Sequence, residues 1–268
     1  GSKNHNVSWY RFESLVHPPS VFIYDFNNNS SSIYYDSKAK FDKDKYIMKQ
    51  KFYTSNDGTR IPIFIAHDKN LVLDGMRPTL LYAYGGFNSS VKPYFNKTIP
   101  IILENGGVYS IANIRGGGEY GQKWHEAGML GKKQNVFNDF ISAGEYLITE
   151  GYSSPDRLAI RGGSNGGTLI GAVINQRPNL FRVAFPEVGV MDMLRYEKFT
   201  IGWAWAVEYG SIVNKNDFEN LLSYSPLHNI EEQTYPSVFI HTADHDDRVV
   251  PAHSFKYAAK LQQNQIGE

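Results

Sequence analysis

Gly162-Gly163-Ser164-Asn165-Gly166-Gly167 contains the pattern G-x-S-x-G, which suits a nucleophilic serine. A hydroxyl raised on a sharp strand-to-helix turn occupies strained backbone space. Side chains two positions to either side would collide with neighbouring segments, so glycine is needed there. The helix that follows would aim free N–H groups and a partial positive charge at a developing oxyanion. The pattern alone also fits an ordinary glycine-rich turn. Context favours the nucleophile: residues 158–161 read as a strand, and 167–176 as a helix ending before Arg177-Pro178.

A serine nucleophile needs an acid and a base, which in α/β-hydrolases follow it in the order acid, then His. The outstanding cluster downstream is Asp244-His245-Asp246-Asp247-Arg248-Val249-Val250-Pro251. It follows residues 237–242, expected to be a buried strand, so Asp246 would stand at the C-terminal sheet edge where open α/β sheets bind ligands. A solvated acidic turn is an equal reading of the composition. His241 and His245, with Asp244 and Asp246, could suggest a metal site, but residues four apart on a strand need not converge and further ligands are not evident. Of the eight histidines only His253 follows Asp246, and it falls just inside an expected helix, 252–263. A triad His must reach both the serine and the carboxylate, and usually comes from a separate loop. The expectation is therefore a fragment whose general base lies beyond Glu268.

The elements that must position these groups alternate. Segments 79–83, 108–113, 158–161 and 183–186 read as strands and 136–150 as a helix. Together with the elements already named they predict a mostly parallel sheet covered by helices on both faces. Segments 46–53 and 61–67 flank Asn56-Asp57-Gly58, a hairpin signal. Residues 7–36 differ in texture. Two strand-like runs, 7–12 and 21–26, precede the turn-like tract Asn27-Asn28-Asn29-Ser30-Ser31-Ser32, and so few strands cannot bury a face alone. Charged residues 38–45 read as a linker.

Composition excludes several classes. The 268 residues carry 27 Lys and Arg against 27 Asp and Glu, so no uniform positive field exists to hold nucleic acid or an anionic membrane. Cysteine is absent, which removes disulfides, thiolate metal sites and a cysteine nucleophile. No apolar run approaches the roughly 20 residues of a membrane span, and no cofactor-binding motif is present.

Several segments together resemble the prolyl oligopeptidase family of serine peptidases. They are Tyr82-Ala83-Tyr84-Gly85-Gly86-Phe87-Asn88, Asn113-Ile114-Arg115-Gly116-Gly117-Gly118-Glu119-Tyr120-Gly121, residues 162–167, Ile201-Gly202-Trp203-Ala204-Trp205 and the 244–251 run. The likeness implies an α/β-hydrolase fold preceded by the last strands of a β-propeller: 1–36 propeller, 37–45 linker, 46–268 catalytic domain. It implies Ser164 as nucleophile, Asp246 as acid, and the Tyr84 hydroxyl with the Asn165 N–H as oxyanion donors. Trp205 would stack on a substrate proline, Phe87, Val190, Tyr209 and Val249 would wall the pocket, and Arg248 would hold a substrate carbonyl. By spacing alone the apolar members of that set read as core, one of the alternating Trp203 and Trp205 among them, and Arg248 could simply pair with Asp244 or Asp247. The implied substrate is a proline-containing oligopeptide, cleaved without a cofactor or metal by a monomer. The implied compartment is the cytoplasm, with bacterial members sometimes periplasmic. An esterase on the same fold and a degenerate, non-catalytic binding module are the rival readings.

Overall fold

The structure, a computed structural model, describes residues 5–267; residues 1–4 and Glu268, the outer ends of the expected propeller and catalytic segments, lie outside the described residues. The chain opens with an antiparallel sheet of β1 (Val7–Ser14), β2 (His17–Asp25) and β3 (Ser30–Tyr35), in the order β1-β2-β3. The serines expected to finish a turn instead begin β3, with Ser30 opposite Asp25 and Ser32 opposite Ile23. Pairing gives their backbone groups partners, which outweighs weak strand propensity. Trp9, Tyr10, Phe12, Ile33, Tyr34 and Tyr35 are 44–67% exposed. A sheet with so much apolar surface open does not form its own core. The hairpin tip anchors it: Leu15 is fully buried in a cluster with Tyr46, Leu80, Ile99 and Tyr109.

The rest of the chain builds a seven-stranded sheet. In chain order it comprises β4 (Tyr46–Thr54), β5 (Arg60–Asp68), β6 (Thr79–Tyr82), α1 (Thr98–Glu104), β7 (Val108–Ala112), α2 (Gln122–Glu126), α3 (Gln134–Thr149), β8 (Leu158–Gly163), α4 (Asn165–Gln176), β9 (Val183–Glu187), α5 (Ala206–Tyr209), α6 (Lys215–Tyr224), β10 (Ser237–Val238) and α7 (Ala252–Asn264). The strand order is β10-β9-β8-β6-β7-β5-β4; the pairs from β10 to β7 are parallel, and β5 and β4 add on antiparallel. Alternation along each strand divides the core between the two faces. Leu81, Val108 and Ile160 join the cluster that α3 and α4 complete, through Phe137, Phe140, Leu169 and Val173. Leu80, Tyr109 and Ile111 turn the other way, against Ile99 and Leu103 of α1. Among the described residues no helix is long and apolar enough to cross a membrane.

One expected strand differs. Residues 237–242 form only the two-residue β10 and an isolated bridge from His241 to Glu187, although Phe239 N–H and His241 N–H still bond Ala184 and Pro186 carbonyls. Among the described residues this is the sheet's edge, and Phe239 is 63% exposed rather than buried. An apolar run reads alike in an edge strand and a central one, because composition does not record how many neighbours a strand has.

A buried ion pair sits under the loop after β7. Arg115 bonds the fully buried Asp139 through Nε (2.8 Å) and NH2 (2.6 Å), and its NH1 reaches Asp57 at 2.5 Å. The backbone beyond it is thereby fixed, and the Gly116 carbonyl accepts the Asn88 N–H at 3.2 Å, next to Phe87.

Candidate active site

β8 ends at Gly163 and α4 begins at Asn165, so Ser164 alone makes the turn, at φ 58° and ψ −121°. The sequence placed the helix start two residues later because Gly166 and Gly167 are poor helix formers. Here close packing decides. A Cβ on Gly162 would lie 2.4 Å from the Gly166 carbonyl oxygen, and one on Gly167 would lie 2.5 Å from that of Glu187. Positive φ at a non-glycine residue costs about 1–3 kcal/mol and persists only where surroundings enforce it. The Ser164 N–H donates to the Glu187 carbonyl (2.8 Å), and its own carbonyl accepts from Gly167 (2.8 Å) and Thr168 (3.1 Å). The first N–H groups of α4 have no partner within the helix and face the turn.

Ser164 lines a cavity of about 210 Å³ with Tyr84, Phe87, Ser89, Val190, Trp205, Tyr209 and Arg248. Larger hollows of about 580 and 630 Å³ exist, the second sharing Tyr84 and Ser89 with this cavity, and Ser164 lines neither. The chemistry present, and not size, selects the smaller one. Trp205 is 8% exposed and stacks on Tyr196 at an interplanar angle of 12°, whereas Trp203 is 67% exposed. Phe87 meets the Tyr209 ring edge-on, with centroids 5.6 Å apart. Burial raises the pKa of Tyr84, and the Ser164 hydroxyl beside it pulls the other way. A phenol so placed is neutral at physiological pH and can donate a hydrogen bond.

Asn165 does more than offer its N–H. Its Nδ2 donates to the Tyr84 carbonyl (2.6 Å), and its Oδ1 accepts the Tyr209 hydroxyl (2.9 Å). Sequence reading used only the backbone of Asn165; no short-range signal ties its side chain to positions 84 and 209. Ser89 is a further lining residue that the sequence did not single out.

Asp246 lies in the loop after β10; β8, β9 and β10 are parallel, so this loop and the Ser164 turn leave the same edge of the sheet, but Asp246 does not line the cavity. Its Oδ1 accepts the N–H groups of Arg248 and Val249, each at 2.9 Å, and Oδ2 accepts no bond among the described residues. The Arg248 side chain reaches the cavity and forms no ion pair with Asp244 or Asp247. Val249 is placed otherwise: it is 3% exposed within the main core and does not line the cavity.

No histidine among the described residues lines the cavity. His253 is 1% exposed in α7, where its Nδ1 accepts the Asp192 N–H (3.1 Å) and its ring meets Phe199 edge-on. Burial lowers its pKa from 6.5 to about 4. In that interval the unfolded chain binds a proton that the folded chain does not, so stability falls as pH drops from 6.5 towards 4. His253→Asn retains an acceptor for the Asp192 N–H and removes the titration. Urea unfolding measured across that window should show a flatter pH slope in this variant, and an unchanged slope would assign the effect to another group.

Comparison with known proteins sets this geometry in context. A family model described as the prolyl oligopeptidase family matches residues 93–267. The prolyl endopeptidase of Elizabethkingia miricola is 52% identical over 99% of this chain, and that of Dictyostelium discoideum is 46% identical over 96%. The chain spans 38% and 35% of those two proteins. A solved prolyl endopeptidase structure superposes with a TM-score of 0.93 at 43% identity, covering 99% of this chain and 39% of its own. Prolyl oligopeptidase B of Galerina marginata, without ligand, gives 0.92 at 37%, covering 98% and 38%. The fold is accordingly an α/β-hydrolase sheet preceded by strands matching the end of a β-propeller. On the matched segment, with its serine elbow and the superposition over 99% of the chain around it, this chain belongs to the prolyl oligopeptidase family.

Proposed function

We propose that the protein is a serine endopeptidase that hydrolyses short peptides on the carboxyl side of proline. The observation that carries this is the shared cavity: a strained Ser164 opens onto a half-buried phenol, an indole face and an arginine. Ser164 Oγ attacks the carbonyl carbon of the proline, and its proton passes to an imidazole. The C–N bond then breaks as the amine leaves with that proton. Water next attacks the resulting ester, releasing the acid and restoring the serine. In this reading Oδ2 of Asp246, which accepts no bond among the described residues, holds that imidazole. The Tyr84 hydroxyl and the Asn165 N–H receive the oxyanion, each contributing on the order of 3 kcal/mol if preorganised.

Proline is apolar and rigid, so a flat aromatic face recognises it without hydrogen bonds. Trp205 supplies that face, Phe87, Val190 and Tyr209 close the cavity round it, and Val249 supports the wall from the core. The Arg248 guanidinium forks onto a carbonyl of the preceding substrate residue and sets the register. In this reading residues 1–36 finish a β-propeller, 37–45 link, and 46–268 belong to the catalytic domain of a cytoplasmic monomer. The exposed aromatic faces of the first sheet support the propeller part.

Trp205→Ala is expected to lower kcat/KM for a proline-containing peptide amide by about 1–3 kcal/mol of transition-state binding. The matching alanine amide should be affected far less. Steady-state kinetics on the full-length protein with both amides and a short ester tests the reading. Equal losses on the two amides would remove Trp205 from specificity, and faster turnover of the ester would favour an esterase.

A further inference from the structure

Lys133 is 1% exposed and stands at the N-terminus of α3, where the helix dipole disfavours a cation. Burial lowers its pKa, and the Glu208 carboxylate opposes that shift. The ammonium donates to the Gly85 carbonyl and to Glu208 Oε1, both at 3.1 Å, and lies 5.3 Å from the centroid of the Tyr209 ring. Glu208 is itself 2% exposed and places its other oxygen 2.7 Å from His125 Nε2. Gly85 follows Tyr84 in the chain, and Glu208 precedes Tyr209. One buried pair thus touches two of the segments that line the cavity, the one carrying Tyr84 and the one carrying Tyr209.

Asn165 does the same one carbonyl earlier, joining the Tyr84 carbonyl to the Tyr209 hydroxyl. The carbonyls of residues 84 and 85 are therefore each held by a side chain that also contacts Tyr209. Peptide planes 84–85 and 85–86 are pinned in sequence, and Gly85 bends between them at φ 64°. A buried ion pair adds little net stability, since apolar replacements of similar volume are often neutral. What it does supply is direction, because a hydrogen bond to a charged donor fixes the carbonyl it meets.

We infer that the buried Lys133–Glu208 pair is a positioning device for the oxyanion side of the site. It fixes the Gly85 peptide, and through it the Tyr84 hydroxyl, against the wall that carries Tyr209. The inference rests on Tyr84 acting as the oxyanion donor.

The test uses the full-length protein with K133M/E208Q, which removes both charges and leaves neither stranded, alone and combined with Tyr84→Phe. With Tyr84 present, kcat on a proline amide should fall about 10- to 100-fold, the scale of a misaimed group, while KM shifts less than about threefold. In the Tyr84→Phe background the same change should cost less than about threefold more, since the hydroxyl it aims is gone. A role confined to stability would lower Tm in both backgrounds and leave kcat alone. That result overturns the inference, as does an equally large kcat loss without the Tyr84 hydroxyl. Should K133M/E208Q fail to fold, Glu208→Gln keeps an oxygen for Lys133 and removes only the charge. A kcat loss that shrinks in the Tyr84→Phe background supports the inference, and unchanged kcat overturns it. If wild type cleaves after proline and Tyr84→Phe slows it, silent pair variants sink this inference alone. If Tyr84→Phe costs nothing, the oxyanion assignment fails first and takes the inference with it.

Discussion

Ser164→Ala should abolish hydrolysis after proline, with kcat lower by on the order of 10⁶, the scale of losing a triad nucleophile. The physical ground is the elbow. Ser164 holds positive φ with its N–H on Glu187 and its carbonyl on the first turn of α4, so nothing but the hydroxyl is removed. Alanine accepts the same backbone state with the same strain, and the fold should survive. The check pairs kinetics with covalent labelling. An active-site serine reagent should leave one adduct on the wild-type protein, at the peptide containing Ser164, and none on the variant. An adduct on another serine, or activity retained by Ser164→Ala, would remove the nucleophile assignment and the peptidase reading with it.

Asp246→Asn is expected to cost about 10⁴ in kcat, the scale seen when a triad carboxylate becomes an amide. The amide oxygen can still accept the Arg248 and Val249 N–H groups that now bond Oδ1 at 2.9 Å, so the loop should keep its shape and Tm should hardly move. Where Oδ2 stood, however, an NH₂ donates instead of accepting. An imidazole arriving there meets a donor, takes the wrong tautomer, and loses the negative charge that stabilises its protonated form. Steady-state turnover compared with a thermal melt separates the two effects. A large fall in Tm accompanying the lost activity would mark Asp246 as structural, and near-normal turnover would move the acid elsewhere.

Much of the seven-stranded sheet was legible because its strands and main helices are bounded by glycine, proline and charge, and differ in hydrophobic period. Residues 46–53 and 61–67 became β4 and β5 within one residue at each end, and the helix expected over 136–150 is α3 at Gln134–Thr149. The misplacements have two causes. Ser30–Ser32 paired with β2 and Gly166 and Gly167 entered α4 because distant neighbours overrode local preference, whereas residues 237–242, at the sheet edge, have a neighbour on one side only. Short helices such as α1 and α6 were not resolved from the sequence, since seven to ten residues hold too few turns to show a period.

For the site, the sequence by itself determined the kinds of group available: one serine between correctly spaced glycines, one acidic run after an apolar stretch, two nearby tryptophans, no cysteine. Those are local facts, and local facts survive in a linear string. Which tryptophan faces the cavity, that Val249 packs in the core instead of lining it, and that Asn165 and Lys133 each bridge residues 84–85 to 209 are matters of three-dimensional closure. Partners 48 and 81 residues apart leave no periodic trace in a single chain. Only packing β6, α3, α4 and α5 against one another brings those polar groups within bonding distance and shields them from water, and that shielding is what makes their directions matter.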